Sequence, residues 1–436
     1  MASKRWIALC MACVLCLLSG CSSIGGDIIT QLRPPKAMGE YGEAEEALSA
    51  YIAQTLEEDG YTLKYPRSGE YRAAFIMEDL DGDGLTEALV FYNVDADNAH
   101  INLLRQSGGE WRSVNDLTVH SADIQSVTFG DLDGDGVREL FVCWDMFSNR
   151  TYQVSIYTLN SNRVTERFSS ACSALAVKDI TGDRRDDCLL LHADAQNLTA
   201  SLWTLSGTDV IELGRCTLDG YVQNLKTVQT VTMDGDRRAV FIDCEKSNDM
   251  LVTQLMYWDG GALIAPFYSA ASFGNVFTAR PAFFPAGDVD EDGAWEWPTC
   301  VPLEGYNSEG MAHTSTDWIT TFWNWDMTRR EPTEKFSCVY NDTDRYYLLT
   351  DEEFATRFTT QYDKEGRTLW LYALDEGDAV FAVHVVPKKG KAPTAPQDYV
   401  FETLLENEFA TYQVWYEEEN AYAINEEMLQ YMLTVF

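Results

Sequence analysis

A nine-residue acidic motif recurs along this chain at intervals of about fifty residues. The first copy reads Asp79-Leu-Asp-Gly-Asp-Gly-Leu-Thr-Glu87, and whole or eroded copies follow it. The five copies begin at Asp79, Asp131, Asp179, Thr232 and Asp288. A repeat of this period predicts a solenoid or a propeller, because each unit buries its apolar surface only against its neighbours.

The segments between the copies have the pattern of short β-strands. Apolar runs such as Tyr71–Met77 and Ile124–Phe129 lead into the motif, and runs such as Ala88–Asn93 and Leu140–Trp144 lead out of it. Hairpins follow, and no helical pattern of about ten residues interrupts them. Four strands in a unit of about fifty residues are typical of a β-propeller blade, so the spacing predicts a mainly β fold.

The motif and its spacing resemble the FG-GAP/VCBS family of propeller repeats, best known from integrin α-subunits. The resemblance covers residues 61–340 and implies a β-propeller of four-stranded blades, of which five repeats are visible. The chain departs from the family pattern because no clear Gly-Ala-Pro signature follows the loops and because the fourth copy, Thr232–Val240, is degenerate. The number of blades therefore stays open.

Two flanking regions have other patterns. Apolar residues recur at helical spacing over Glu43–Leu56, which predicts an N-terminal helix within residues 41–60. The motif ends before Asn341, and we interpret residues 341–436 as a small C-terminal α+β domain. Its expected elements are a hairpin of Arg367–Leu374 and Ala379–Val386 and helices at Asp398–Phe409 and Asn425–Leu433.

The acidic motif carries the groups that a bound Ca²⁺ ion requires. Positions 1, 3, 5 and 9 offer carboxylates and position 7 a backbone carbonyl, and Ca²⁺ takes roughly six to eight such oxygens. Glycines such as Gly82 and Gly84 permit the positive φ values of a tight loop. The expected ligands are Asp79, Asp81, Asp83 and Glu87; Asp131, Asp133, Asp135 and Glu139; Asp179, Asp183 and Asp187; and Asp288, Asp290, Asp292 and Glu296.

Two alternatives to this interpretation stay open. An EF-hand loop begins alike, but it closes with an acid at position 12 and continues into a helix. Position 12 here is Val90 in the first copy and Val142 in the second, and β-rich sequence follows both. The other alternative is an Asx-rich turn that holds no ion, which is a common use of Asp-Gly.

The copies are expected to differ in metal binding. The first, second and fifth are whole and are expected to bind a structural Ca²⁺ ion. The third has Thr181 at position 3 and is expected to bind more weakly. The fourth is expected to be empty, and either Arg237 or Arg238 replaces the ion there or the loop simply turns.

The N-terminus predicts export and lipid attachment. A basic start precedes an apolar run too short to span a membrane, as in a secretory signal over residues 1–20. Leu18-Ser19-Gly20-Cys21 resembles a bacterial lipobox, which implies cleavage before Cys21 and lipidation of that residue. Residues 21–40 contain glycines and prolines and are interpreted as a tether. The expected location is extracytoplasmic, anchored by lipid to the bacterial membrane at the cell surface.

Composition and motifs narrow the function further. A net charge of −37 repels phosphate backbones and excludes nucleic acid as a partner. No paired histidine, serine elbow, phosphate loop or dinucleotide motif identifies a catalytic residue.

Tryptophans either stack on a ligand or fill the blades, and the candidates are Trp295, Trp297, Trp323 and Trp325. The leading hypothesis is a non-enzymatic module that binds a protein or a glycan. The alternative is a glycan hydrolase or lyase on the same scaffold.

Overall fold

The computed structural model describes residues 39–56, 60–121, 123–146, 151–160, 162–194, 197–222, 224–233, 237–246, 249–272, 274–304, 314–375 and 377–436. Over these residues the chain is mainly β, and its strands form antiparallel sheets of four or five strands. No helix in this part of the chain is long and apolar enough to cross a membrane. The signal sequence, Cys21, the tether up to residue 38, and Asp234 of the fourth copy lie outside the described residues.

The chain folds as two compact units. The first contains the described residues up to Tyr65, together with Ala73–His120 and Asn160–Val164, and the second contains the remainder. Each unit has its own clusters of buried apolar side chains.

The first unit consists of a helix and a five-stranded sheet. Helix α1 (Glu40–Tyr51) runs on into a π-helical turn at Ile52–Leu56, so the helix expected over Glu43–Leu56 is present. Apolar residues of the helix are buried together with side chains of the sheet. The strands are β1 (Thr62–Leu63), β2 (Phe75–Glu78), β3 (Glu87–Asn93), β4 (Asn98–Ser107) and β5 (Glu110–His120), in the order β1-β3-β4-β5 with β2 also beside β3.

Three further sheets follow along the chain, and each is a meander of four consecutive strands. They comprise β6 (Asp123–Gly130), β7 (Glu139–Asp145), β8 (Tyr152–Asn160) and β9 (Arg163–Cys172); β10 (Ala174–Lys178), β11 (Asp187–Ala193), β12 (Leu198–Ser206) and β13 (Asp209–Leu218); and β14 (Asn224–Thr232), β15 (Arg238–Lys246), β16 (Met250–Asp259) and β17 (Ala262–Ile264), with β18 (Arg280–Pro281) added beside β16. This strand order is that of propeller blades, so one acidic repeat corresponds to one blade-like sheet.

The fifth sheet begins after the last acidic motif and extends past Asn341. Its strands are β19 (Trp297–Pro302), β20 (Trp318–Asp326), β21 (Glu331–Asn341) and β22 (Tyr346–Thr350), with a 3₁₀ turn, Ser315–Asp317, before β20. The fourth strand of this sheet therefore lies in the segment that the sequence assigns to the C-terminal domain.

The C-terminal segment has α+β character. Its elements are helix α2 (Phe354–Arg357), β23 (Phe358–Asp363), β24 (Thr368–Ala373), β25 (Ala379–Pro387), β26 (Glu402–Glu406), β27 (Ala410–Tyr416), helix α3 (Glu426–Met432) and β28 (Leu433–Val435). The expected hairpin is present as β24 and β25, and the expected helix at Asn425–Leu433 is present as α3. The last strand, β28, pairs with β22 and so completes the fifth sheet.

The prediction of a helix at Asp398–Phe409 is wrong. Strand β26 lies there and pairs with β27. Its residues Leu404 and Leu405 pack partly buried against the apolar cluster of this region. Pairing with a neighbouring strand overrides a weak local helix preference, because tertiary contacts contribute more than intrinsic propensity.

The second strand of each repeat positions the acidic loop. In β3 and β7 every residue except the last is buried, as expected for central strands covered on both faces. Position 9 of the motif is the first residue of this strand in the first three copies, as Glu87, Glu139 and Asp187. The strand therefore draws position 9 into a buried layer, while positions 1, 3 and 5 are half-buried or exposed.

Candidate metal centres

The first acidic loop, Asp79–Glu87, is wound around the carboxylate of its first residue. Asp79 accepts hydrogen bonds from the backbone N–H groups of Gly82 at 2.8 Å and Gly84 at 2.9 Å. Both glycines adopt positive φ values, 76° and 84°, in the region that favours glycine. The Asx turn considered as an alternative is therefore present, and its geometry is compatible with a loop that also holds an ion.

Positions 3, 5 and 9 of this loop each use one carboxylate oxygen for the backbone. Asp81 Oδ1 accepts from the N–H of Asp83 at 3.3 Å, and Asp83 Oδ1 accepts from the N–H of Leu85 at 2.8 Å. Glu87 Oε2 accepts from the N–H of Leu80 at 3.0 Å. The other oxygen of each of these three acids, here called an inner oxygen, remains for a different partner.

The second loop, Asp131–Glu139, repeats this geometry. Asp133 Oδ1 accepts from the N–H of Asp135 at 3.1 Å, and Asp135 Oδ1 accepts from the N–H of Val137 at 2.7 Å. Glu139 Oε2 accepts from the N–H of Leu132 at 2.8 Å. Among the described residues, Arg185 acts on Asp133 through its charge, while its hydrogen bonds go to Asp183.

The pKa of Glu139 shows the electrostatic effect of burying one acid of this loop beside three others. Its side chain is buried, and this burial is the main reason why its pKa rises to about 7. The N–H of Leu132 lowers the pKa, while the charges of Asp133, Asp131 and Asp135 raise it. A cation beside the inner oxygens would favour the ionised carboxylates, since an opposite charge a few ångströms away stabilises the charged form.

In the first loop a basic side chain already lies at the inner oxygens. Arg105 of β4 places Nη1 3.3 Å from Asp81 Oδ2 and Nη2 2.5 Å from Asp83 Oδ2. Its Nε donates to Glu87 Oε1 at 3.1 Å. One guanidinium group therefore contacts positions 3, 5 and 9 together.

The fifth loop, Asp288–Glu296, has a lysine in the corresponding place. Lys335 Nζ lies 2.7 Å from Asp290 Oδ1, 2.8 Å from Asp292 Oδ2 and 2.9 Å from Glu296 Oε1. Partial burial lowers the pKa of Lys335, but its hydrogen bonds to these three acids together outweigh this effect and raise the pKa above its usual value. Neither Arg105 nor Lys335 belongs to the acidic motif, and sequence reasoning did not identify them.

The third loop, Asp179–Asp187, is partly neutralised by its own residues. Asp183 Oδ2 accepts from Arg185 Nε at 3.0 Å and from Nη2 at 2.5 Å. Thr181 supplies a hydroxyl where the whole copies have a carboxylate. Asp187 is buried, which raises its pKa to about 6. These features suit a cation less well than the second loop does.

The fourth loop is described only at its ends. Of the two arginines expected to replace an ion there, Arg237 donates from Nη1 to the carbonyl oxygen of Met327 at 2.9 Å. Its Nη2 donates to Thr328 Oγ1 at 3.2 Å. This side chain therefore links the eroded copy to the turn after β20.

The three whole loops are the places where the structure gathers carboxylates. Three acids in each bring one oxygen apiece within 4.8 Å of the others: Asp79, Asp81 and Glu87; Asp131, Asp133 and Glu139; and Asp288, Asp290 and Glu296. Position 5 of the motif and the acids of the third loop are not part of these groups. Donor sets made only of oxygen suit a hard cation such as Ca²⁺. Over the residues that the structure describes, the second loop differs from the other two because the basic side chain that acts on it, Arg185, affects Asp133 by its charge and donates its hydrogen bonds to Asp183 instead.

The four tryptophans considered as ligand-stacking residues belong to an aromatic cluster. Trp297 is 0% exposed and Trp325 is 6% exposed. Both rings lie against Phe267, with centroids 5.0 and 5.6 Å away. Trp295 and Trp323 are partly buried against the same cluster. For Trp297 and Trp325 the structure thus shows packing, and their burial prevents them from stacking on a ligand in solvent.

A histidine–aspartate–tyrosine network in the first unit also escaped sequence reasoning. Asp116 accepts from Tyr92 Oη at 2.9 Å and from Asn102 Nδ2 at 3.1 Å, and its Oδ2 lies 2.9 Å from His100 Nδ1. Tyr92 is 0% and His100 4% exposed. A substrate in solvent does not reach these groups, so we interpret the network as a polar cross-link between β3, β4 and β5.

Comparison with known families agrees with the repeat. Residues 79–142, which contain the first two acidic loops, match the model of the FG-GAP-like repeat. The resemblance to this repeat family is thereby confirmed over that segment. No curated protein matches the chain significantly.

Solved structures align with this chain only at low scores. The exotype rhamnogalacturonan lyase YesX aligns over 73% of this chain and 73% of its own, with 10% identity and a TM-score of 0.30. A rhamnogalacturonan lyase of Bacillus licheniformis aligns over 73% and 76%, with 11% identity and a TM-score of 0.31. A protein from Lactobacillus plantarum aligns over 72% and 84%, with 12% identity and a TM-score of 0.29. Alignments at this level establish no shared activity.

Proposed function

We propose that this chain is a lipid-anchored extracytoplasmic protein whose blade-like sheets form a calcium-stabilised scaffold that binds a protein or a glycan. The observation that carries the calcium part is the second loop. There, three acids converge within 4.8 Å. The described basic group whose charge acts on Asp133 is Arg185, and it donates its hydrogen bonds to Asp183 of the third loop.

The physical argument for an ion is charge compensation. Asp131, Asp133, Asp135 and Glu139 would hold Ca²⁺. The ion would compensate the negative charge that Arg185, whose charge acts on Asp133, leaves in this loop. Acids packed this closely repel one another, and burial of Glu139 adds a cost of desolvation. Because the loop joins β6 to β7, an ion there would hold the two strands in place, which is a structural role.

Removing one ligand is expected to abolish the effect of calcium on stability. In the detergent-solubilised full-length protein, Ca²⁺ at about ten times its Kd should stabilise the folded state by about 1.4 kcal/mol at one site. Extracellular modules bind Ca²⁺ with Kd values of about 10⁻⁴–10⁻³ M, so millimolar Ca²⁺ is the appropriate concentration. The Tm should rise by a few degrees over excess chelator, and Asp133→Asn should remove most of this rise. Thermal unfolding followed by near-UV circular dichroism measures both.

Asp363→Asn is the matched control for this experiment. Asp363 accepts backbone N–H bonds from Glu365 at 3.0 Å and Gly366 at 2.9 Å in an ordinary turn. It does not belong to any of the three carboxylate groups. The control variant should keep the calcium-dependent rise. Identical wild-type melting curves in Ca²⁺ and in chelator would contradict the calcium proposal.

The anchoring part of the proposal predicts that Cys21→Ser releases the protein from the membrane fraction or leaves its precursor uncut. A serine hydroxyl does not replace the cysteine thiol as the site of lipid attachment. Membrane fractionation and metabolic labelling with a fatty acid measure the effect. Cys16→Ser is the control, because Cys16 lies in the apolar run that is removed. Unchanged fractionation and labelling in Cys21→Ser would overturn the lipobox assignment.

The binding part is tested by presenting the purified full-length protein to glycan and protein libraries. Saturable binding without turnover supports a binding module. Release of shortened glycans would support the alternative, a glycan hydrolase or lyase.

A further inference from the structure

We propose that Arg105 and Lys335 permanently replace a metal ion in the first and fifth acidic loops, so that the second is the one whole loop that takes Ca²⁺. The statement about the second loop rests on the proposed function. The statement about the other two loops rests on the positions of the two basic side chains.

Both side chains reach the same three positions of the motif. In each loop the basic group contacts the acids at positions 3, 5 and 9, at distances of 2.5 to 3.3 Å for Arg105 and 2.7 to 2.9 Å for Lys335. At positions 5 and 9 of both loops the second oxygen already accepts a backbone N–H. The oxygens left for a metal are therefore the ones that the basic groups use.

The two basic groups are enclosed in the loops. The side chains of Arg105 and Lys335 are 14% and 15% exposed, whereas long basic side chains usually extend their charged end into water. A charge removed from water is tolerated when it is paired. Three carboxylates pair with each of these charges, and a Ca²⁺ ion at the same oxygens would have to displace a group of like charge.

Different strand positions supply the two groups. Arg105 follows Leu104, which pairs with Ala88, the residue after Glu87. Lys335 lies at a register shift of β21, where Phe322 pairs with Phe336 and Trp323 with Glu334. A bulge of this kind redirects a side chain. Strand register places the basic group in the first loop, and a bulge places it in the fifth. In both loops the basic group contacts the acids at positions 3, 5 and 9.

The second repeat has an uncharged residue where the first has its arginine. Leu140, which follows Glu139, pairs with Tyr157, and the next residue of β8 is Thr158. Thr158 Oγ1 accepts from Arg167 Nε at 2.9 Å. The position equivalent to Arg105 thus carries no charge. The charge of Arg185 acts on Asp133, but Arg185 donates its hydrogen bonds to Asp183, and the acids at positions 3, 5 and 9 of the second loop therefore stay available to a cation.

The number of bound Ca²⁺ ions tests the proposal. Equilibrium dialysis of the full-length protein against millimolar ⁴⁵Ca²⁺ should find one ion per chain for the wild type. Arg105→Met and Lys335→Met, which preserve much of the side-chain length without the charge, should each raise this number to two. Lys364→Met, a substitution of an exposed lysine remote in sequence from the loops, should leave it at one.

A substitution that adds a basic group to the second loop tests the proposal even if the methionine variants fail to fold. Thr158→Arg should bring a charge to the second loop and reduce the bound ions from one to none. If a methionine variant is unfolded in chelator, recovery of its near-UV spectrum in millimolar Ca²⁺ supports the proposal, and failure to recover counts against it.

The outcomes separate this proposal from the proposed function. Three ions on the wild type would overturn the replacement by basic side chains while supporting calcium binding. No ion on the wild type, but one on Lys335→Met, would overturn the calcium site in the second loop and support the replacement in the fifth. An unchanged number in both methionine variants would overturn the replacement.

Discussion

Replacement of Arg280 by methionine is expected to lower the free energy of unfolding by about 3–5 kcal/mol. Arg280 is 0% exposed, and its Nη2 lies 2.9 Å from Asp243 Oδ1. Its Nε and Nη1 donate to the carbonyl oxygens of Phe284 at 2.5 Å and Thr278 at 3.1 Å. Methionine fills a similar volume, but it leaves Asp243 charged and buried without its cation. The Tm should fall by on the order of 10 °C, as measured by differential scanning calorimetry.

A double-mutant cycle with Asp243→Asn isolates the ion pair from the loss of packing. The double variant should be less destabilised than the sum of the two single variants, because the second substitution removes the uncompensated charge. Thr253 Oγ1 and the N–H of Ala286 also donate to Asp243, so stability should return only in part. Strict additivity, or a change in Tm within experimental error for Arg280→Met, would contradict a structural ion pair.

Substitution of Trp297 by alanine is expected to lower the free energy of unfolding by a similar amount, about 3–5 kcal/mol. Trp297 is fully buried, with ring centroids 6.0 Å from Phe241 and 5.0 Å from Phe267. Alanine would leave a cavity that the surrounding aromatic side chains fill only in part. Chemical denaturation with urea measures the loss through the midpoint of unfolding.

Trp297→Phe is the control for this prediction, since it keeps an aromatic ring in the cluster and should recover most of the stability. A stable Trp297→Ala variant that had lost binding to a protein or glycan would contradict packing as the role of this residue. The same result would support the alternative that this tryptophan stacks on a ligand.

Much of the fold follows from local patterns in the sequence. The acidic motif ends where β3, β7 and β11 begin, and apolar runs after it predict these central strands because both of their faces are covered. The helix α3 was also predictable, since Asn425 caps it by accepting from the N–H of Met428 at 3.0 Å. The segment Asp398–Phe409 was not, because its pairing partner β27 lies beyond it in the chain.

In the candidate metal sites, too, local sequence determines some features and tertiary structure determines others. The sequence by itself determined where carboxylates gather, because the acids of each loop lie within nine residues and the turn geometry depends on nearby glycines and backbone N–H groups. Only the tertiary structure decided which positive charge each loop meets. Arg105 and Lys335 come from other strands, and their places depend on strand register and on one bulge. The buried pair of Arg280 and Asp243 has the same origin, since pairing of β18 with β16 brings its arginine into the core. A charge inside a loop is encoded locally, whereas its compensation depends on long-range packing.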